Sequence, residues 1–143
     1  MRDLKSAMAC IHYDSSPVGA YEEFALIELS LRGPSAVEMP VTSEDSRQAG
    51  RALWGFPKEL EAMIWNRKGA RIEFQKESEK FRFRALRFSF PVKAKTWTNQ
   101  ILDGENVRVP VSIQGRARIA FRGKQIALFL ESFEMQVFAP ITL

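Results

Sequence analysis

The chain of 143 residues contains one cysteine and one histidine. A lone thiol, Cys10, excludes an intrachain disulfide, and nothing else points to an oxidising compartment. With His12 the sole imidazole, a metal centre of the usual Cys/His kind is not expected. Long apolar runs are missing too: no window approaches the roughly 18 residues of a membrane-spanning helix. Met1-Arg2-Asp3-Leu4-Lys5 has no apolar stretch behind it long enough for a signal peptide. These absences lead to the expectation of a soluble, cytoplasmic protein without a membrane partner. Internal repeats, low-complexity tracts and domain-boundary signals are also lacking, so residues 1–143 read as one domain with a single core. Nor is there a basic block. The net charge is +4, but Arg82, Arg84 and Arg87 are interleaved with apolar residues. That is the pattern of a solvated strand face, and no nucleic-acid partner is expected.

Strand signals are what the sequence has in quantity. Residues 24–31 are largely apolar, then alternate, and stop at Arg32-Gly33-Pro34, a turn signal. Residues 63–65 and 70–74 flank Asn66-Arg67-Lys68-Gly69, a short connection whose glycine supplies a positive φ. Residues 81–90 alternate at period two for much of their length, the evenly spaced aromatics expected to pack inward and the arginines to stay in water, and Pro91 is the expected end. Residues 107–113 give way at Gln114-Gly115 to 116–121. Arg122-Gly123-Lys124 then turns the chain into 125–131, and 133–138 form a last strand. Pro110 needs an edge or a bulge. Short turns between such strands predict a mainly β fold, an antiparallel meander closed or nearly closed as a barrel. One helix interrupts it. Thr42 and Asp45 have capping-box spacing, Ala49, Ala52 and Leu53 follow at helical intervals, and Gly55 with Pro57 closes the stretch.

That helix delivers the chain into Phe56-Pro57-Lys58. A lysine attacks a carbonyl only as the free amine, so a nucleophilic lysine needs its pKa brought down from about 10.4. Desolvation in an apolar pocket does this, as does a neighbouring cation. Trp54, Phe56 and Leu60 are the apolar residues at hand, and Pro57 biases Phe56 toward extended backbone. On composition alone, the competing reading is a lysine whose stem covers apolar surface while its amine stays in water.

Resemblance adds to this. Gly50-Arg51-Ala52-Leu53-Trp54-Gly55-Phe56-Pro57-Lys58-Glu59-Leu60 resembles the block around the Schiff-base lysine of the acetoacetate decarboxylase family. Tyr13-Asp14-Ser15-Ser16-Pro17-Val18-Gly19-Ala20-Tyr21-Glu22-Glu23 is similar to the family's glycine-containing segment ending in Tyr-x-Glu, whose carboxylate lies in the active site and here falls on Glu23. Val137-Phe138-Ala139-Pro140-Ile141 is similar to a family Ala-Pro stretch. The resemblance implies an antiparallel β-barrel or cone with Lys58 inside. It implies imine chemistry on a small β-keto acid or related carbonyl compound, no metal or organic cofactor, and a homo-oligomer. Lys58 and Glu23 are then the candidate catalytic residues; Tyr21, Trp54, Phe56, His12 and Arg51 are candidate pocket or substrate-binding residues.

Three departures weigh on that implication. Glu59 stands where the family's decarboxylases carry a second lysine, and a carboxylate sharing the pocket would favour the ammonium. Met8 aligns roughly with another active-site glutamate. The family arginine that receives a substrate carboxylate lies in an N-terminal part with no counterpart here, leaving His12, Arg51 or Arg87 to compensate. Two classes therefore stay open. One is a Schiff-base enzyme, a decarboxylase or a relative using the imine for aldol-type condensation or dehydration. The other is a non-catalytic barrel binding a small apolar or carbonyl ligand. An oligomeric structural protein is a third reading.

Overall fold

Alternation in the first two strands sets the architecture. The computed structural model describes residues 5–13, 16, 19–77, 79–123 and 125–143. Residues 1–4, Asp14, Ser15, Pro17 and Val18 of the first family-like block, and Lys124 of the last expected turn, lie outside the described residues. Strands β1 (Lys5–Tyr13) and β2 (Tyr21–Ser30) are antiparallel, with Ile11 opposite Glu23 and Tyr13 opposite Tyr21. Successive side chains point to opposite faces of such a pair. Met8, Cys10 and Phe24 enter one core, among Phe74, Phe83 and Phe129. Ile11 and Tyr13 enter a second, with Leu130 and Phe133, and Ala25 a third that holds Phe56 and Val109. Both faces of the central sheet are therefore covered, which is why residues 24–27 are apolar without interruption.

After β3 (Gly33–Val41), helix α1 (Glu44–Trp54) carries the chain back to β4 (Lys58–Leu60). β5 (Met63–Lys68), β6 (Arg71–Lys76) and β7 (Lys80–Ala85) form a meander. The long strands β8 (Phe90–Leu102), β9 (Glu105–Arg122) and β10 (Gln125–Val137) follow, and β11 (Ile141–Thr142) pairs with β9. The strand order is β4-β3-β2-β1-β10-β9-β7-β6-β5, with β8 also on β9.

The expectation of a mainly β fold with one short helix before the lysine holds. The sheet, however, is mixed rather than antiparallel: β1 pairs parallel with β10, and β3 with β4. A helical crossover returns the chain to the same end of the sheet, so β4 runs parallel to β3. Nor is the sheet closed, because β4 and β5 end the order unpaired with each other. Side chains span the openings instead. Gln100 of β8 donates from Nε2 to Ala36 O of β3 (3.1 Å), and its Oε1 accepts from Ala36 N (2.9 Å). Lys76 of β6 reaches Glu38 of β3 at 2.9 Å.

Several boundaries move. The 81–90 segment is broken after Ala85, and Pro91 is the second residue of β8 rather than a terminator. Residues 105–122 are one strand running through Gly115, where no turn forms. Gly115 lies under a bulge of β10 between Glu131 and Glu134, and a Cβ there would sit 3.0 Å from Phe133 Cα. Pro110 is tolerated because a residue's N–H and C=O face the same neighbour. Its C=O accepts from Phe138 N (2.9 Å), just past the last β10 pair, Val137 with Val111, so the missing N–H falls where that ladder fades.

Candidate functional site

The site is assembled where helix α1 packs against β4 and β8. Its N-cap is Ser43, whose hydroxyl accepts from Ser46 N (3.1 Å). The Thr42–Asp45 box expected from the sequence does not form, because Thr42 Oγ1 is taken by Glu22 N (2.9 Å) and holds the helix entrance to β2. At the other end Gly55 N bonds Arg51 O (3.2 Å) and Phe56 N bonds Gly50 O (3.1 Å), a Schellman closure. Gly55 is left-handed (φ 70°), and a Cβ there would lie 2.2 Å from Ile101 O. The exit is thereby fixed, and Lys58 begins β4 two residues after Phe56.

The helix face turned inward is Ser46 and Gly50, four residues apart, rather than the Ala and Leu positions. The Lys58 stem runs over Gly50 so closely that a Cβ there would lie 2.6 Å from Lys58 Cδ. Lys58 is 5% exposed. Its Nζ donates to Ser46 Oγ (2.9 Å) and lies 3.0 Å from Glu23 Oε1. The second contact is a close ion pair without hydrogen-bond alignment, and Glu23 Oε1 has no other partner. Glu23 is 1% exposed, and its Oε2 accepts from Tyr13 OH at 3.4 Å. Tyr13 and Tyr21 stack at 4.5 Å between ring centroids. Lys58, Glu23, Tyr13, Tyr21 and Ser46 thus gather in a ring of polar side chains around the amine.

The two phenols stay protonated across ordinary pH. Burial pushes Tyr21 up to about 12, the Glu23 charge adds to this, and hydrogen bonds to Ser46 and Tyr13 work against it. Tyr13 is pushed well above its usual value, chiefly by burial and then by Glu23.

Lys58, Glu23, Tyr21 and Phe56 therefore meet. The ring of Phe56 lies 5.7 Å from Nζ and that of Tyr21 5.9 Å. Trp54 stands behind Phe56 (5.9 Å between rings) and donates from Nε1 to Phe138 O (3.1 Å), so it walls Phe56 rather than the amine. Arg51 does not enter the ring. Its Nε donates to Lys58 O (2.5 Å), and its Nη2 pairs with Glu59, which is 69% exposed. Alternation along β4 turns Glu59 to solvent, so it does not share the lysine's surroundings. Arg87 is exposed. His12 belongs elsewhere: it projects from the opposite face of β1 to Tyr13 and binds Glu22, which also accepts from Trp65 Nε1 (3.0 Å). Met8 faces the core of Cys10 and Phe24, so no carboxylate at that position would reach Lys58.

Ser46, Gly50 and Tyr13 are site residues that the sequence reading did not single out. Gly50 and Tyr13 open the two family-like blocks, and Ser46 stands one helical turn before Gly50, but nothing in the sequence signals that this face meets Lys58. Among the described residues no group of three or more His, Cys, Asp or Glu could hold a metal ion. No helix among the described residues is long and apolar enough to cross a membrane. Comparison with protein-family models, curated proteins and solved structures finds no match to this chain.

Proposed function

We propose that the chain is a divergent acetoacetate decarboxylase-like protein in which Lys58 forms a Schiff base with a small β-keto acid or related carbonyl compound. The observation that carries this reading is the convergence of Lys58 and Glu23, 3.0 Å apart and both buried. They are the two residues that the family-like blocks single out, and they come from different strands. A carboxylate 3.0 Å from the amine is placed to take its proton, the step that frees the nitrogen to attack.

In this reading Lys58 passes a proton to Glu23 and attacks the ketone carbon as the free amine. The carbonyl oxygen takes one proton from the attacking nitrogen and one back from Glu23 and leaves as water, giving a protonated imine whose charge the Glu23 carboxylate offsets. The bond to the carboxyl carbon then breaks, its electron pair enters the iminium, and carbon dioxide departs. The enamine is protonated at carbon and hydrolysed, releasing a ketone and Lys58. Ser46 holds Nζ in place, and Tyr13 steadies Glu23 by donating to Oε2. Aldol-type condensation or dehydration would use the same imine.

One observation favours the second reading, a barrel that binds a small apolar or carbonyl ligand without turnover. The Lys58 side chain is 6% exposed and its amine already has two protein partners. Borohydride reduction in the presence of acetoacetate, read by intact mass and peptide mapping, separates the two. The enzyme reading expects an adduct at Lys58 that has lost the carboxyl group and is absent from Lys58→Ala. No adduct on the native chain, or one that maps to the other buried lysine, Lys76, would overturn it.

A further inference from the structure

A groove of about 830 Å3 lies apart from the lysine ring, lined by Arg32, Val37, Pro57, Asn99, Ile101 and Arg108 among others, but not by Lys58. Its volume is that of a small-molecule site. Two polar atoms in it are buried and unsatisfied, and they belong to residues that face each other across the β8–β9 ladder. One is Arg108 Nε. The Arg108 guanidinium stacks on Trp97, 5.0 Å from the ring centroid, and among the described residues no carboxylate pairs with it. The other is Asn99 Oδ1. Asn99 Nδ2 donates to Arg32 O (2.7 Å), which fixes the amide's orientation and leaves the oxygen as an acceptor without a donor.

A buried donor and a buried acceptor left open on facing residues are costly unless something completes them. The groove's charge says what that would be. No acidic side chain lines it, while Arg108 and Arg32 both do. The Trp97 ring supports the Arg108 guanidinium through a cation–π contact, and a guanidinium fork suits a carboxylate. Val37 and Ile101 are exposed apolar surface in the same lining. We propose that this groove binds a small organic acid. Its carboxylate sits on Arg108, a hydroxyl or amino group next to the carboxylate donates to Asn99 Oδ1, and its apolar body lies along Val37 and Ile101.

The proposal does not depend on imine chemistry at Lys58. Isothermal titration of the full chain at low salt with α-hydroxyhexanoate, hexanoate and inorganic phosphate tests it. The expected order is α-hydroxyhexanoate tightest, then hexanoate, with phosphate weakest. Arg108→Gln should weaken both organic acids by about tenfold or more. Asn99→Leu should bring α-hydroxyhexanoate down to the hexanoate value and leave hexanoate unchanged. Arg32→Gln, at an exposed turn where folding is not at issue, should weaken both acids and flatten their salt dependence. Phosphate binding as well as the organic acids, or affinities unchanged in Arg108→Gln and Arg32→Gln, would reduce the groove to a diffuse cationic surface and overturn the proposal. Loss of binding in the Glu23→Gln/Lys58→Met double variant, which leaves no unpaired buried charge, would assign the acid to the lysine ring and overturn it equally.

Discussion

At the scale of single residues the proposed chemistry rests on one buried ion pair. Removing one member of such a pair is worse than removing both, because the partner is left buried without compensation. Glu23→Gln should therefore lower unfolding stability by about 3–5 kcal/mol, measured by urea denaturation, and the Glu23→Gln/Lys58→Met double variant should recover much of it. Tyr21 gives a pH signature. Its folded pKa, raised to about 12, lies above the ordinary tyrosine value of about 10, so the native state holds the phenolic proton more tightly than the unfolded chain does. The stability it contributes is complete below pH 10 and is lost as pH rises toward 12; Tyr21→Phe should flatten that part of the stability profile. Lys58, Glu23, Tyr21 and Phe56 were legible as a group because two short blocks carry them. Ser46 was not, since its role arises from a helix laid over a strand and leaves no local pattern. His12 and Arg51 were misplaced for a simple reason. Nearness in sequence put them beside the site, but alternation turned His12 to the far face of β1, and Arg51 turns to the Lys58 backbone and Glu59.

At the scale of elements the junction between α1 and β4 determines where the amine ends. Gly55 combines a left-handed backbone with a close approach to Ile101 O, so any side chain there is strained twice. Gly55→Ala should cost about 1–3 kcal/mol in thermal or chemical denaturation. It should also reduce borohydride trapping at Lys58 more than a surface variant of equal stability does, if the proposed imine forms. The helix and its closing Gly55 were legible from caps and punctuation. Most short strands were legible from alternation. The long strand β8 was not, because residues 93–100 are mainly polar and basic and present no apolar face to count. Gly115 reads as a break in isolation and Pro110 as a residue needing an edge or a bulge, yet β9 passes through both, one accommodating the bulge of β10 and the other standing where that pairing ends.

At the scale of the whole molecule the sheet leaves β4 and β5 as edges, and Leu53, Leu60, Ile64 and Ile101 are more than half exposed. Exposed edges beside apolar side chains favour association. A homo-oligomer is the expected outcome of light scattering at micromolar concentration, and a monomer there would contradict it. That the sheet is open and mixed was beyond the sequence, since pairing direction depends on where a crossover returns the chain and no single segment encodes it. The parallel pairing of β1 with β10 also governs when the protein can take shape. Residues 8–11 meet residues 127–130, about 120 positions later, in the middle of the sheet. A nascent chain emerging from the ribosome holds β1 early but cannot complete its neighbour until more than a hundred further residues have been made. The strand that carries Tyr13 thus waits, covered by β2 on one edge only, for β10 to arrive.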